Sequence, residues 1–219
     1  MIELECDAIL FDLDGVLVDS TACVERHWRC WAAEHSLDAD ATMRFAHGRP
    51  TIETIRLVAP HLPAEAEAAR LNNGEAFDTD GVVAIQGAAE LVCSLPPTMW
   101  AIATSGTRNT ALTRLRHTGV PVPAVLITAD DVKRGKPDPE PYLRAAAGLN
   151  MPPERCVVIE DAPAGIAAAR AAGMRVVAVA TTHSPADLGE ADATARHLTD
   201  IEIAIRPDRG LVVRVVMAA

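Results

Sequence analysis

The chain contains few aromatic residues, and this shortage limits the kind of core that it can build. Only 3% of its 219 residues are Phe, Trp or Tyr, although 49% are hydrophobic. A core of Ala, Val, Ile and Leu is typical of Ala-rich helices packed on Val- and Ile-rich strands. At this length we expect one large domain, or one domain that carries a small insertion.

Positive charge is scarce, and lysine is the scarcest source of it. The formal net charge is −10, and Lys133 and Lys136 are the only lysines, so arginine carries nearly all the positive charge. A surface that binds nucleic acid needs clustered basic residues. We therefore expect no nucleic-acid partner.

Long hydrophobic runs are missing as well. No stretch approaches the length of a membrane span, and the first residues lack the basic and then apolar pattern of a signal peptide. The five cysteines (Cys6, Cys23, Cys30, Cys93 and Cys156) are odd in number, scattered and not spaced as metal ligands, which is typical of reduced thiols. These features predict a cytoplasmic protein without a membrane partner.

The most informative stretch begins with the apolar run Ala8–Phe11, which predicts a buried strand. Asp12 and Asp14 follow it two residues apart, so their side chains are expected on the same side of the chain. Gly15 then permits a sharp turn. Paired carboxylates repel each other unless a cation compensates them, and Mg²⁺ prefers such oxygen ligands. The alternative is an Asp-rich turn that caps the next helix.

The distribution of strand and helix patterns divides the chain into two parts. Residues 17–80 contain helical patterns and no convincing strand, whereas helices and strands alternate from residue 81 onward. Such alternation predicts a parallel sheet with right-handed crossovers. We therefore predict an α/β fold: a Rossmann-like core of residues 1–16 and 81–219, with a small all-helical cap domain of residues 17–80 inserted after the first strand.

Three local predictions complete this outline. The segment 37–40 is interpreted as a polar connection between cap helices. Near the end of the chain, Ile201–Ile205 is predicted as a short helix and Leu211–Val216 as an added edge strand.

Polar residues follow several of the predicted strands, where ligands bind in open parallel sheets. Each of them alone could be an ordinary helix cap or a solvated loop residue. Together they form a set suited to a metal ion and a phosphate group. The set consists of Asp12, Asp14, Thr104, Ser105, Lys136, Glu160 and Asp161.

These residues lie in four segments, 12–16, 103–106, 135–139 and 160–166, which resemble the four motifs of the haloacid dehalogenase superfamily in order. The chain resembles the subgroup of β-phosphoglucomutase-like enzymes and small-sugar phosphatases. Extended forms of the motifs resemble those of glycerol-phosphate and 2-deoxyglucose-6-phosphate phosphatases. The resemblance covers nearly the whole chain and implies a phosphatase of small phosphorylated sugars or polyols.

The resemblance also implies a role for each motif residue. Asp12 would attack phosphorus and form an aspartyl-phosphate, and Asp14 would act as general acid and then as general base. Thr104 and Ser105 would bind the phosphate, and Lys136 would neutralise its charge.

A Mg²⁺ cofactor is implied by the same resemblance. Its ligands would be Asp12, the backbone carbonyl of Asp14, Asp161 and Glu160, the last directly or through water.

The cap would choose the substrate, a small phosphorylated metabolite. The candidates for this selection are His47, Arg49 and Arg44, because such donors can bind a polyol or a second anion. The alternative is that Arg49 forms a surface ion pair and His47 a helix-cap contact. We expect a monomer or a weak homodimer.

Four other functions share part of this pattern. Asp14 argues against a dehalogenase, which needs no acid there, and a phosphonatase would need a cap lysine, which residues 17–80 lack. Related mutases carry a histidine twelve residues after the nucleophile, whereas this chain has Val24 there and His27 one turn further on. A phosphomutase therefore stays as the alternative. A non-catalytic phosphate-binding module is more distant, since it would have no need of Asp14.

Overall fold

A six-stranded parallel sheet, with the predicted first strand near its middle, forms the centre of the fold. The computed structural model describes residues 1–46, 51–206 and 210–216. The spatial order of the strands is β6 (Leu126–Ile127), β5 (Trp100–Ala103), β2 (Ala8–Phe11), β7 (Cys156–Glu160), β8 (Arg175–Val179) and β9 (Ala193–Ala195). The predicted parallel α/β sheet is confirmed.

Alternate residues of the central strand pack into different cores, as the period of a strand requires. Ile9 and Phe11 belong to one core, together with residues of α5 (Ala88–Cys93) and α6 (Arg108–Thr118). Ala8 and Leu10 belong to the other, together with residues of α7 (Glu140–Gly148) and α8 (Pro163–Ala171). Because helices cover both faces of the sheet, β2 is fully buried and its sequence is a continuous apolar run.

A separate group of helices packs around its own apolar core, which includes Trp28, Trp31, Ile55 and Leu71. The indole of Trp31 donates a hydrogen bond of 2.8 Å to Glu67 and so joins the first of these helices to the last. This group is the helical cap. It consists of α1 (Thr21–Glu34), α2 (Ala39–Ala46), α3 (Thr51–Val58) and α4 (Ala64–Glu75).

The chain enters and leaves the cap through a short antiparallel pair of strands. The first, β3 (Val18–Asp19), pairs with β4 (Val83–Ala84). The prediction of no strand within residues 17–80 is wrong at this point, because two residues are too few to give a periodic pattern. The boundaries between core and cap stay a prediction.

The segment 37–40 is also not simply a connection, since α2 already begins at Ala39. The carboxylate of Asp38 accepts a hydrogen bond of 3.0 Å from the amide of Ala41. Asp38 therefore caps the start of this helix, a role for which aspartate is well suited. None of the described helices, here or in the core, is long and apolar enough to cross a membrane.

A second, antiparallel sheet corrects both predictions for the end of the chain. Its order is β1 (Ile2–Cys6), β11 (Leu211–Val215) and β10 (Ile201–Ile205). Residues 201–205 are thus a strand and not a helix, because their sequence, IEIAI, alternates with the period of a strand. Residues 211–215 form the middle strand and not an edge, because β1, which was not predicted, covers their other side.

The helical cap offers a direct test of this packing. Ile55 is fully buried in the cap core, whereas Leu57 on the same helix is 49% exposed. Replacing Ile55 by Ala should reduce the free energy of unfolding by about 2–5 kcal/mol, because it leaves a cavity. Leu57→Ala should change it by no more than about 0.5 kcal/mol. Urea titration followed by circular dichroism measures both, and equal losses would contradict this packing.

Candidate active site

The carboxyl ends of three neighbouring strands bring most of the predicted residues to one edge of the sheet. Asp12 follows β2, Thr104 follows β5 and Asp161 follows β7, while Glu160 is the last residue of β7. All four are buried. Lys136 reaches the same place from the loop between β6 and α7.

The ammonium group of Lys136 lies between two carboxylates. Its Nζ donates to Asp12 Oδ1 at 2.5 Å and to Glu160 Oε1 at 2.7 Å. Burial disfavours the charged lysine, but the carboxylates of Asp12 and Glu160 more than offset this cost and raise its pKa. The lysine is therefore a permanent cation at this edge.

Glu160 is held by four donors and acts as a bridge within the site. Besides Lys136, its Oε1 accepts a hydrogen bond from Tyr142 at 2.8 Å. Its Oε2 accepts from the backbone amides of Asp161 at 2.9 Å and Ala162 at 3.0 Å. These contacts fix the position of Lys136 and of the turn that begins α8.

Asp12, Glu160 and Asp161 form a cluster in which one carboxylate oxygen of each lies within 4.8 Å of the others. Burial raises the pKa of Asp12 to about 7, although Lys136 opposes the change. Burial, reinforced by Glu160 and Asp12, raises the pKa of Asp161 well above its usual range. These raised pKa values show that Lys136 alone does not compensate three ionised carboxylates, and an all-oxygen donor set of this kind fits a divalent cation such as Mg²⁺.

Two glycines allow the backbone to approach these carboxylates closely. Gly15 has a φ of +88°, and a Cβ atom there would lie 2.1 Å from Asp161 Oδ2. A Cβ atom at Gly165, in α8, would lie 1.6 Å from Glu160 Oε1. Both distances are far shorter than any real contact, so neither position has room for a side chain.

Asp14 lies beside this cluster and has different partners. Its Oδ1 accepts a hydrogen bond from Ser20 Oγ at 2.7 Å and another from Arg114 Nη1, also at 2.7 Å. Arg114 Nη2 in turn donates to Glu75 of the cap helix α4 at 3.3 Å. Burial raises the pKa of the Glu75 carboxyl, although Arg114 opposes the change.

A cavity of about 180 Å³ lies between the sheet edge and the cap. Its core side includes all seven predicted motif residues. Its cap side includes both apolar and polar side chains. The cap residues among the described lining are Thr21, Val24, Trp28, Ala46, Thr51, Asn72 and Glu75.

Of the three predicted cap selectors, only Arg44 belongs to the part of the chain that the structure describes. Arg44 is exposed and is not one of the residues that line the cavity, although Ala46, two residues further along α2, is. His47 and Arg49 lie outside the described residues.

His27, the residue relevant to the mutase alternative, makes its contacts away from the cavity. Its Nε2 lies 2.8 Å from a carboxylate oxygen of Asp78, which also accepts a hydrogen bond of 2.7 Å from Arg26. Cys23 completes a possible metal-binding group with His27 and Asp78. Because Arg26 already neutralises that carboxylate, the group works as an ionic contact between α1 and the segment that follows α4.

Comparison with known proteins identifies the family. The model of the haloacid dehalogenase-like hydrolase family matches residues 9–179. The chain belongs to this family. It is 41% identical over 219 residues to hexitol phosphatase A of Escherichia coli, a match that covers 96% of this chain and 100% of that protein.

Two further relatives show the breadth of the family. Glycerol-1-phosphate phosphohydrolase 2 of Saccharomyces cerevisiae is 36% identical over 196 residues, which cover 83% of this chain and 77% of that protein. A solved structure, a putative β-phosphoglucomutase from Thermotoga maritima, is 29% identical with a TM-score of 0.63, and the match covers 86% of this chain and 93% of that one. The curated relatives place this hydrolase among the phosphoric monoester hydrolases.

Several residues of the site were not predicted from the sequence. Thr182 donates a hydrogen bond to the Asp161 carboxylate, and Tyr142 and Ser20 hold Glu160 and Asp14. Thr182 could have been found, because it follows the carboxyl end of β8. Arg114 lies on the second turn of α6, where nothing in the sequence separates it from the other arginines of that helix.

If the carboxylate cluster binds Mg²⁺, the cation should raise the thermal stability of the protein even without substrate. At a concentration of Mg²⁺ about 100 times its Kd, the folded protein gains about 2.7 kcal/mol, which raises Tm by roughly 5–10 °C at this chain length. Asp161→Asn should lose most of this increase, because an amide is a poorer ligand for the cation. The exposed Asp187→Asn serves as the control and should keep it. An unchanged wild-type Tm, or equal increases in both variants, would contradict the assignment.

Proposed function

We propose that this hydrolase is a Mg²⁺-dependent phosphatase of small phosphorylated sugars or polyols that works through an aspartyl-phosphate intermediate. The observation that carries the proposal is that one cavity contains two aspartates with different hydrogen-bond partners. Asp12 is buried against Lys136, whereas Asp14 lies beside it and is bonded to Arg114 and Ser20. One carboxylate is thus suited to attack phosphorus and the other to exchange a proton.

Asp12 is the proposed nucleophile. Its carboxylate oxygen forms a bond to phosphorus while the bond from phosphorus to the ester oxygen breaks, and the sugar or polyol leaves. Lys136, 2.5 Å from the attacking carboxylate, opposes the protonation that burial favours and offsets the charge of the phosphoryl group.

Asp14 is the proposed general acid and base. An alkoxide is a poor leaving group, so Asp14 gives its proton to the ester oxygen as that bond breaks. The same carboxylate then takes a proton from the water that attacks the aspartyl-phosphate. This second step releases inorganic phosphate and returns Asp12 and Asp14 to their starting states.

The remaining predicted residues bind the phosphate group. The Thr104 hydroxyl and Ser105 line the cavity beside Asp12. From there they can donate hydrogen bonds to the oxygens of the phosphate group. Asp12, Asp161 and the carbonyl of Asp14 would hold Mg²⁺, with Glu160 bound directly or through water. When bound, the cation supplies positive charge that lets an anionic nucleophile approach an anionic substrate.

The contacts of the cap favour a phosphatase over a phosphomutase. Val24 lines the cavity at the position where related mutases carry a histidine, and it has no proton to exchange. His27 is bonded to Asp78 and is not among the lining residues. The relatives with the highest identities reported above are named phosphatases, which agrees with this choice. The cytoplasmic location and the monomer or weak homodimer stay predictions.

Assays with a panel of phosphomonoesters distinguish these functions. The panel comprises hexitol phosphates, glycerol 1-phosphate, 2-deoxyglucose 6-phosphate, nucleotides and β-glucose 1-phosphate, each with Mg²⁺ and with a chelator. Release of inorganic phosphate from the sugar and polyol esters, lost with the chelator, supports the proposal. Conversion of β-glucose 1-phosphate into glucose 6-phosphate without release of phosphate supports the mutase. No turnover of any ester would leave only the non-catalytic module.

Asp12→Asn should abolish turnover, because the amide has a similar shape but is a poor nucleophile. We expect kcat to fall by at least about 10³-fold on the best substrate of the panel. Asp40→Asn, which alters an exposed partner of Arg29 in the cap, should keep wild-type activity. Phosphate release is measured on protein whose circular dichroism shows the native fold. Full activity of a folded Asp12→Asn variant would exclude Asp12 as the nucleophile.

A further inference from the structure

Arg114 is an arginine whose position within the core needs an explanation. It lies on α6, and its side chain is only 4% exposed. A guanidinium group is costly to bury and is retained where its several donors are used. The contacts of this side chain therefore indicate what it does.

The guanidinium of Arg114 connects two carboxylates from different parts of the molecule. Nη1 donates to Asp14 in the core, at 2.7 Å, and Nη2 donates to Glu75 in the cap helix α4, at 3.3 Å. All three side chains line the cavity between core and cap. Through this pair of hydrogen bonds, the proposed acid–base residue is connected to the cap.

The contacts of Asp14 leave one of its oxygens for chemistry. Ser20, at the start of the first cap helix, and Arg114 both donate to Oδ1. Neither uses Oδ2, so these donors orient the carboxylate without occupying both of its oxygens. Glu75 belongs to cap helix α4 and Arg114 to core helix α6, so a displacement of the cap would change the distance between them.

We propose that Arg114 is a positioning residue that orients Asp14 for proton transfer, and that Glu75 makes this orientation depend on the cap being in place. The inference rests on the proposed phosphatase function and deepens it. The phosphate is bound by other residues, so Arg114 acts on the proton transfer and not on the attack by Asp12. When the cap lies over the cavity, Glu75 holds the guanidinium and Asp14 is oriented to protonate the leaving group.

A series of substituted phenyl phosphates separates this role from a structural one. These esters have similar shapes, while their leaving groups differ in basicity, from phenol to the much less basic 4-nitrophenol. General acid catalysis matters most for the most basic leaving group. The measured quantity is the slope of log kcat/KM against the pKa of the leaving group, since kcat/KM covers only the steps up to its departure.

Arg114→Met should steepen this slope. We expect kcat/KM for phenyl phosphate to fall by about 10- to 100-fold, and that for 4-nitrophenyl phosphate by much less. Glu75→Gln should have the same effect in weaker form. Arg114→Lys should give an intermediate slope, because lysine keeps the positive charge but lacks the two guanidinium nitrogens that bond Asp14 and Glu75. If Arg114→Met does not fold, the Glu75→Gln and Arg114→Lys variants test the positioning role instead.

Arg70→Met is the matched control. Arg70 also joins two carboxylates, Glu34 at 2.7 Å and Glu67 at 3.1 Å, but it does so within the cap and does not line the cavity. This variant should keep the wild-type slope.

The outcomes separate a failure of the inference from a failure of the proposed function. If the folded Arg114 and Glu75 variants lose activity equally on all the esters, or lose none, the positioning role is wrong and the phosphatase stands. If the wild-type protein hydrolyses none of these esters and none of the sugar or polyol phosphates with Mg²⁺, the proposed function itself is wrong.

Discussion

The burial of three carboxylates around a single lysine is the constraint on which the site depends. Asp12, Glu160 and Asp161 lie at the end of two central strands, where water cannot solvate them. Lys136 compensates part of their charge through its bonds to Asp12 and Glu160. The remaining negative charge favours a divalent cation. In the proposed function, this imbalance would be relieved by Mg²⁺, which would in turn help to bind a phosphate group.

The main features of the fold could be predicted because each has a strong local pattern. The strand predicted over residues 8–11 has the predicted bounds, because its apolar run is continuous. The sequence does not predict β1, because this short strand is stabilised by pairing with β11, which lies more than 200 residues away in the chain. Residues 201–205 differ from β1, because their own alternation already has the period of a strand, and the predicted helix disagrees with that local pattern.

The residues of the candidate site also fall into those that the sequence predicts and those that it does not. Residues directly after a strand could be placed at the edge of the sheet, as Asp12 and Thr104 show, because the geometry of a parallel sheet brings strand ends together. Arg114 could not, because its role depends on the distance between a core helix and the cap. The cap side of the cavity is formed by residues from all four cap helices, among them Trp28 and Asn72, and no short motif encodes such an arrangement.

The central claim is that Asp12 attacks phosphorus, and the most direct measurement is a search for the phosphoryl group on the enzyme. Wild-type protein would be mixed with excess 2-deoxyglucose 6-phosphate and Mg²⁺, quenched in acid within the first turnovers, digested and analysed by mass spectrometry. The account predicts one added phosphoryl group on the peptide that contains Asp12, and its absence without Mg²⁺. A phosphoryl group on any other residue of the turning-over enzyme would contradict it.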